Sequence, residues 1–387
     1  MRKKNAGADF AKLAKDFVDA NSIACDKEET ASGATVTFTD LTLGYYLVDT
    51  SLGSLCSLDT TAPSVTIKEK NSDTTIEKKI VINGDEKVDS NSAGIGDTVN
   101  FSITITVKDG DPKNYVLHDK LSGLTFDPDS LEVKVGTTTL TANTDYTLET
   151  NPTDGDSFDV KFKDDKLKTN DVVVVTYSAT VAANATIAGA GNTNKAKLAY
   201  SGKHSTEEET TTYVWKLNVH KYALNSTNDE VALSGAKFVL YRMDGGTKKY
   251  AKLTNDKIDG WVNDKGDATT LETSGTGDIL IEGLNEGTYY LEETEAPAGY
   301  NKLTEPIEVE ITATTSATSG SETVQYKNSS ETSYTPATDA TVKVLNSAGT
   351  QLPSTGGIGT TLFYVIGGGL MAVAAVLLVT KKRMNSK

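Results

Sequence analysis

The sequence predicts an all-β protein, a tandem array of immunoglobulin-like β-sandwich modules followed by a C-terminal transmembrane helix. The first observation is period-two alternation in stretches such as Thr98–Val107, Asp171–Val181, Trp215–Tyr222 and Phe238–Tyr241, which are rich in Thr, Val, Ile and Tyr. The second is the punctuation between them by Gly and Asp/Asn clusters, the pattern of many short strands in sandwiches. The third is a charge-free run of 19 residues, Leu362 to Thr380, long enough to cross a bilayer of about 30 Å as a helix. Ala8–Ala20 is the one helical-looking piece elsewhere.

At roughly 100–200 residues per domain, 387 residues make two to three modules. The balance of 38 Lys+Arg against 53 Asp+Glu gives a net charge of −15, which excludes a nucleic-acid partner, since that affinity rests on Lys/Arg at phosphates. Two cysteines, Cys25 and Cys56, make neither a disulfide scaffold nor a zinc site. A single bridge between them and two free thiols both remain open. Met1-Arg2-Lys3-Lys4-Asn5 looks like the basic start of a signal peptide, but no apolar stretch of about 7–15 residues follows. A secreted chain needs one, so the first module is expected to lack its opening strands.

Six residues before the apolar run stands Leu352-Pro353-Ser354-Thr355-Gly356, and directly after the run stands Lys381-Lys382-Arg383. The basic end stays on the cytoplasmic side. Pentapeptide, span and basic tail in this order resemble the LPxTG sorting signal of Gram-positive surface proteins. The resemblance implies that a sortase thiolate attacks the Thr355 carbonyl and releases Gly356, with the helix and tail holding the substrate at the membrane until then. Cleavage would remove Lys381, Lys382, Arg383 and Lys387 and no acid, taking the net charge from −15 to −19.

Three modules are expected before that signal: 1–70, 71–210 and 211–347, with 348–387 as the sorting region. The run Ser205–Thr212 is polar and reads as core-poor, which puts a boundary near it. Thr312–Ser321 reads as a long hairpin loop inside the third module.

In the third module, Trp215, Leu217 and Val219 alternate with Lys216, Asn218 and His220, which places Lys221 on the apolar face. A buried, unpaired ammonium is costly and tends to lose its proton, becoming a nucleophile; a strand-end lysine snorkelling to water is the alternative. Tyr289-Tyr290-Leu291-Glu292-Glu293-Thr294-Glu295-Ala296-Pro297-Ala298-Gly299-Tyr300 resembles the YxLxETxAPxGY E-box of CnaB-type domains, and Leu233-Ser234-Gly235-Ala236-Lys237-Phe238 resembles their second-strand signature. The resemblance implies an intramolecular amide between Lys221 and Asn346, promoted by Glu293; Asn328 is the other candidate asparagine. A carboxyl in an apolar core can stay protonated, polarise the amide carbonyl and shuttle protons as ammonia leaves.

The second module repeats the design. Ile76, Ile80 and Ile82 share a face with Lys78, while Lys79 lies on the other face. Tyr115–Phe126 and Gly191–Leu198 resemble the catalytic-acid segment and last strand of CnaA-like pilin domains. That resemblance implies Lys78, Asp119 and Asn194, with Asn192 sharing the phase of Asn194.

In the first module, Gly44–Ser51 looks like a penultimate strand with Asp49 in the Glu position and no Ala-Pro-x-Gly-Tyr end, so no isopeptide is expected there. At the next junction, Val65-x-Ile67-x-x-Lys70 has the spacing of the pilin motif of SpaA-type backbone pilins, without its Trp, Tyr or Pro. The resemblance implies Lys70 as the linkage lysine, with Lys68 as runner-up. Trp215-x-x-x-Val219-x-Lys221 is rejected as that motif because it lies in a core strand.

His118, His204 and His220 form no recognisable catalytic set. The acidic loops Asp154–Asp159 and Asp256–Asp267 do not match calcium-loop spacing. No metal, cofactor or enzymatic turnover is expected. The chain thus resembles the major shaft subunit of a sortase-assembled pilus. Its implied partners are pilus-specific and housekeeping sortases, further copies of itself, peptidoglycan and host surface ligands. A monomeric LPXTG-anchored adhesin is the alternative.

Overall fold

The computed structural model describes residues 6–29, 35–48, 54–67, 74–108, 113–200, 203–328 and 331–349. Lys68, Lys70, Asp49, the LPSTG pentapeptide and the 362–380 run lie outside them. Among the described residues no helix is long and apolar enough to cross a membrane.

The N-terminal part is a helix, Ala6–Ala20, beside an antiparallel hairpin of Gly44–Val48 and Ser54–Leu58. Cys25 and Cys56 are free thiols.

A two-sheet sandwich follows. One sheet runs Tyr146–Thr150, Phe158–Phe162, Val116–Leu121, Asn192–Tyr200, Glu208–Tyr213, Ser90–Ser92. The facing sheet runs Glu86–Val88, Thr75–Ile82, Thr98–Thr106, Val172–Val181, Leu124–Val135, Thr138–Thr139. Alternate residues of each strand point inward, as pleating requires, and Ile80, Phe101, Ile103, Leu117, Phe158 and Val175 fill the space between the sheets. The polar run read as core-poor is in fact the strand Glu208–Tyr213, and Thr210, Thr211 and Thr212 are buried. Threonine is β-branched and fits a pleated strand, which hydrophobicity alone does not register.

The third region is one continuous hydrogen-bonded path. From Glu230–Ala232 it runs through Trp215–Leu224, Asp278–Leu284, Lys257–Val262, Thr247–Thr254, Lys237–Asp244, Gly287–Glu295 and Ile307–Thr315 to Gly320–Asn328 and Thr335–Pro336. The last strand, Thr341–Leu345, lies parallel against Trp215–Leu224 with Lys221 opposite Val344. The stretch expected to be a long loop is instead the paired end of Ile307–Thr315 and Gly320–Asn328, with only 316–319 as its tip. Its threonines pair across the hairpin, Thr312 opposite Thr323.

That tip reaches the second sandwich. Tyr213 Oη donates to Ser316 O at 3.0 Å, Thr211 Oγ1 donates to Ala317 O at 2.7 Å, and Trp215 Nε1 donates to Ser92 Oγ at 2.6 Å. Ile95 N donates to Gly283 O at 2.9 Å. Tyr213, Val214 and Trp215, which connect the two bodies, are fully buried. Glycine makes the approach possible: a Cβ on Gly283, whose φ is +92°, would sit 2.7 Å from Ile95 Cδ1. Gly283→Ala should therefore combine strain with a clash and destabilise the protein by about 1–3 kcal/mol; a lowered urea midpoint is the expected result.

Candidate functional site

Strand phase carries one lysine into each core. In Thr75–Ile82 the buried positions are Ile76, Lys78 and Ile80; in Trp215–Leu224 they are Trp215, Leu217, Val219, Lys221 and Ala223. Both lysines are essentially inaccessible, Lys78 at 1% and Lys221 at 0% exposure. Each meets a buried carboxyl.

In the second sandwich, Lys78 comes from one sheet, and Asp119 and Asn194 come from the other, where Asp119 pairs with Ala196 and Asn194 with Leu121. Lys78 Nζ donates to Asp119 Oδ2 at 2.5 Å and to Tyr177 Oη at 2.7 Å. Tyr177 Oη donates to Asp119 Oδ2 at 2.8 Å and accepts from Asn194 Nδ2 at 2.8 Å. The rings of Phe101 and Tyr177 flank the amine, with centroids 5.6 and 5.4 Å away. Burial pulls the Lys78 ammonium down to about 8 against the opposing pull of Asp119, and burial raises the Asp119 carboxyl. Both shifts favour the uncharged pair, an amine beside a carboxylic acid. Asn192, of the same phase, is engaged elsewhere: its amide bonds Thr186 N at 2.8 Å, Thr186 O at 3.0 Å and Thr212 O at 3.2 Å.

In the third region, Lys221 Nζ donates to Asn346 Oδ1 at 2.5 Å and lies 3.2 Å from Glu293 Oε1. Asn346 Nδ2 donates to the same Glu293 oxygen at 3.1 Å. The other carboxylate oxygen accepts from Leu303 N at 2.7 Å, in the loop after the E-box. Asn346 follows the last strand and is held by its own N–H on Tyr222 O at 2.9 Å. Burial brings the Lys221 ammonium down to about 8, with Glu293 opposing. Asn328, the other candidate, is exposed at the end of the strand Gly320–Asn328 and bonds Glu331.

Sequence reasoning missed Tyr177. Its signal was present, since it shares the inward phase of Val173, Val175 and Ala179, but an inward tyrosine reads as core filling. It also missed a knot on the outer face. His118 Nδ1 lies 2.9 Å from Asp159 Oδ1, 3.2 Å from Asp156 Oδ2 and 3.4 Å from Asp154 Oδ2. His118 thus turns away from its neighbour Asp119 and fastens the acidic 154–159 loop. Asp159 is buried and its carboxyl is raised by that burial.

The third-region cluster places an amine, a carboxyl and a primary amide in direct contact, the second-sandwich cluster links the same three groups through the Tyr177 hydroxyl, and both are buried. That set is competent for transamidation, in which the amine displaces ammonia from the asparagine with the carboxyl carrying protons.

Two segments of the chain match known families. Residues 215–329 match the SpaA prealbumin-like fold domain and residues 345–386 the LPXTG cell wall anchor motif. No curated protein matches the chain. Among solved structures, the pilus 2b backbone protein of group B streptococcus is 25% identical, with 72% of this chain and 99% of that one covered at a TM-score of 0.53. The full-length major pilin RrgB of Streptococcus pneumoniae is 17% identical over 77% of this chain and 79% of that one, at a TM-score of 0.54. The T6 backbone pilin of serotype M6 Streptococcus pyogenes is 19% identical over 80% and 73%, at a TM-score of 0.53. These last two share the fold.

Fold and anchor motif together define a structural surface protein of Gram-positive bacteria, covalently attached to the cell wall. Within that class, residues 215–329 are similar to the SpaA prealbumin-like domain, and the chain is similar to the backbone protein of group B streptococcus pilus 2b.

His118→Ala would leave the buried Asp159 carboxyl without its partner. A loss of about 1–3 kcal/mol follows from an unsatisfied buried acceptor, and a lower thermal midpoint than the parent protein is the expected reading.

Proposed function

We propose that this chain is the shaft subunit of a sortase-assembled pilus, polymerised by joining Lys70 of one subunit to Thr355 of another and finally transferred to peptidoglycan. A pilus-specific sortase makes the first linkage and a housekeeping sortase the second. In this reading 1–70 is the N-terminal pilin module, 71–210 a CnaA-like domain, 211–347 a CnaB-type domain and 348–387 the sorting region. Before sortase cleavage the 362–380 run holds the chain in the membrane.

The observation that supports this reading most directly is the pair of buried clusters. Each ties an early strand of its domain to a late one: Lys78 to Asn194, and Lys221 to Asn346. Neutral Lys221 attacks the Asn346 side-chain carbonyl, Glu293 passes the proton between the two nitrogens it touches, and ammonia leaves. In the second domain Asp119 takes the first proton from Lys78, which it touches. Each residue acts once, so the chain turns nothing over. Closing a loop of 125 residues removes unfolded-state entropy worth about 5 kcal/mol by the relation used for disulfides. Tension between Lys70 and Thr355 then runs through covalent bonds, which a fibre needs and a solitary adhesin does not.

Two measurements test this. The intact mass of the recombinant ectodomain should fall short of the sequence mass by two ammonia molecules; the full sequence mass would refute both intramolecular bonds. Boiled cell-wall extracts, immunoblotted, should show a high-mass ladder that disappears with Lys70→Ala. A single monomer band from the parent strain would instead support the non-polymerised adhesin. A ladder that survives Lys70→Ala and is lost with Lys68→Ala would move the linkage to Lys68.

A further inference from the structure

The two clusters solve one problem differently. In the third domain a single oxygen, Glu293 Oε1, lies 3.2 Å from the attacking nitrogen of Lys221 and 3.1 Å from the leaving nitrogen of Asn346. The carboxyl alone bridges nucleophile and leaving group. In the second domain the acid is an aspartate, one methylene shorter. Asp119 Oδ2 meets Lys78 Nζ, but the amide nitrogen of Asn194 is bonded to Tyr177 instead.

The Tyr177 hydroxyl uses its whole hydrogen-bonding capacity on the reacting groups. It accepts from Lys78 Nζ at 2.7 Å and from Asn194 Nδ2 at 2.8 Å, and it donates to Asp119 Oδ2 at 2.8 Å. The residue is 3% exposed and the neighbouring acid and amide are fully buried, so the hydroxyl bridges nucleophile and leaving amide out of contact with bulk water. In the third domain the ring beside the lysine is Phe238, its centroid 5.6 Å from Lys221 Nζ, and it has no hydroxyl. The hydroxyl is present where the carboxyl is short and absent where the carboxyl reaches.

We infer that Tyr177 is a catalytic residue of the second domain, relaying a proton from Lys78 Nζ to the departing Nδ2 of Asn194. This rests on the reading that Lys78 and Asn194 become joined. Asp119 first takes one ammonium proton, leaving a neutral amine and a carboxylic acid. The amine attacks Cγ of Asn194 and the Nζ–Cγ bond forms. Nζ gives a second proton to the Tyr177 oxygen as the phenolic proton passes to Nδ2. The Cγ–Nδ2 bond breaks, its electron pair stays with nitrogen, and neutral ammonia leaves. Tyr177 ends as it began, Asp119 keeps its proton, and every hydrogen is accounted for.

Bond formation is followed during cell-free synthesis of the full ectodomain, by intact mass and by peptide mapping of the Lys78–Asn194 and Lys221–Asn346 linkages. The third-domain bond serves as an internal clock in the same chain. With Tyr177→Phe the Lys221–Asn346 linkage should form at the parental rate, and the Lys78–Asn194 linkage should slow by roughly 10²–10⁴-fold, the usual contribution of a positioned proton carrier. Equal rates for the second-domain bond in parent and variant would overturn the relay. Absence of the Lys78–Asn194 peptide from the parent protein would overturn the underlying reading instead. If Tyr177→Phe does not fold, a fluorinated tyrosine at 177 replaces it, keeping ring and hydroxyl but with a more acidic phenol. A relay then shows an altered rate and pH profile for the second-domain bond alone, and an unchanged profile overturns it.

Discussion

The structure turns on a lysine ammonium placed where burial makes its charge costly. An unpaired ammonium in a sandwich core costs several kcal/mol, and a buried ion pair recovers that cost only with good geometry and full hydrogen bonding. Lys78 and Lys221 each have one acidic partner and are shut off from bulk solvent. Burial pulls both ammonium groups down to about 8. Moving one proton from nitrogen to carboxyl removes both charges without changing the proton count of the pair. The same move makes the nitrogen nucleophilic. On the proposed reading, a destabilising feature of the unreacted fold is thus its reactive feature, and amide formation would remove the destabilisation for good because the product has no ionisable amine.

Period two made the two lysines legible from sequence, because one lysine among Ile76 and Ile80, or among Leu217 and Val219, has no other face to occupy. The acids were harder, since acidic residues are common in these strands. Glu293 stood out through the E-box, whereas Asp119 rested on a resemblance. The choice between Asn192 and Asn194 was not legible: both point inward, and only the bracing of Asn192 by Thr186 and Thr212 separates them. Tyr177 stayed hidden because inward aromatics usually fill space. The threonine-rich strands were misread for a related reason. Hydrophobicity scores Thr210–Thr212 as surface, while their burial follows from β-branching and from hydrogen bonds that pairing supplies.

The difference between the clusters follows from side-chain length. Parallel pairing of Thr341–Leu345 with Trp215–Leu224 brings Asn346 beside Lys221, and Glu293 of the strand Gly287–Glu295 spans both nitrogens. In the second domain lysine and asparagine come from different sheets, so the amide and the amine are separated by the width of a hydroxyl. An aspartate meets the amine, and the phenol of Tyr177 occupies the gap. Fold geometry decides how many groups are required to carry one proton.

On the proposed reading, force enters at Lys70 and leaves at Thr355, and the two intramolecular bonds short-circuit nearly all of both domains. What remains in the load path between them is the stretch from Asn194 to Lys221. Its strand Glu208–Tyr213 is held on one side by Asn192–Tyr200 and on the other by Ser90–Ser92. Its buried end is clamped by the 316–319 hairpin tip and by the Trp215–Ser92 bond. These are the non-covalent contacts that stand between the folded rod and its extension. That accounts for a buried, glycine-tight junction at a place where ordinary tandem domains carry an exposed linker: a flexible linker here would leave slack in an otherwise covalent line.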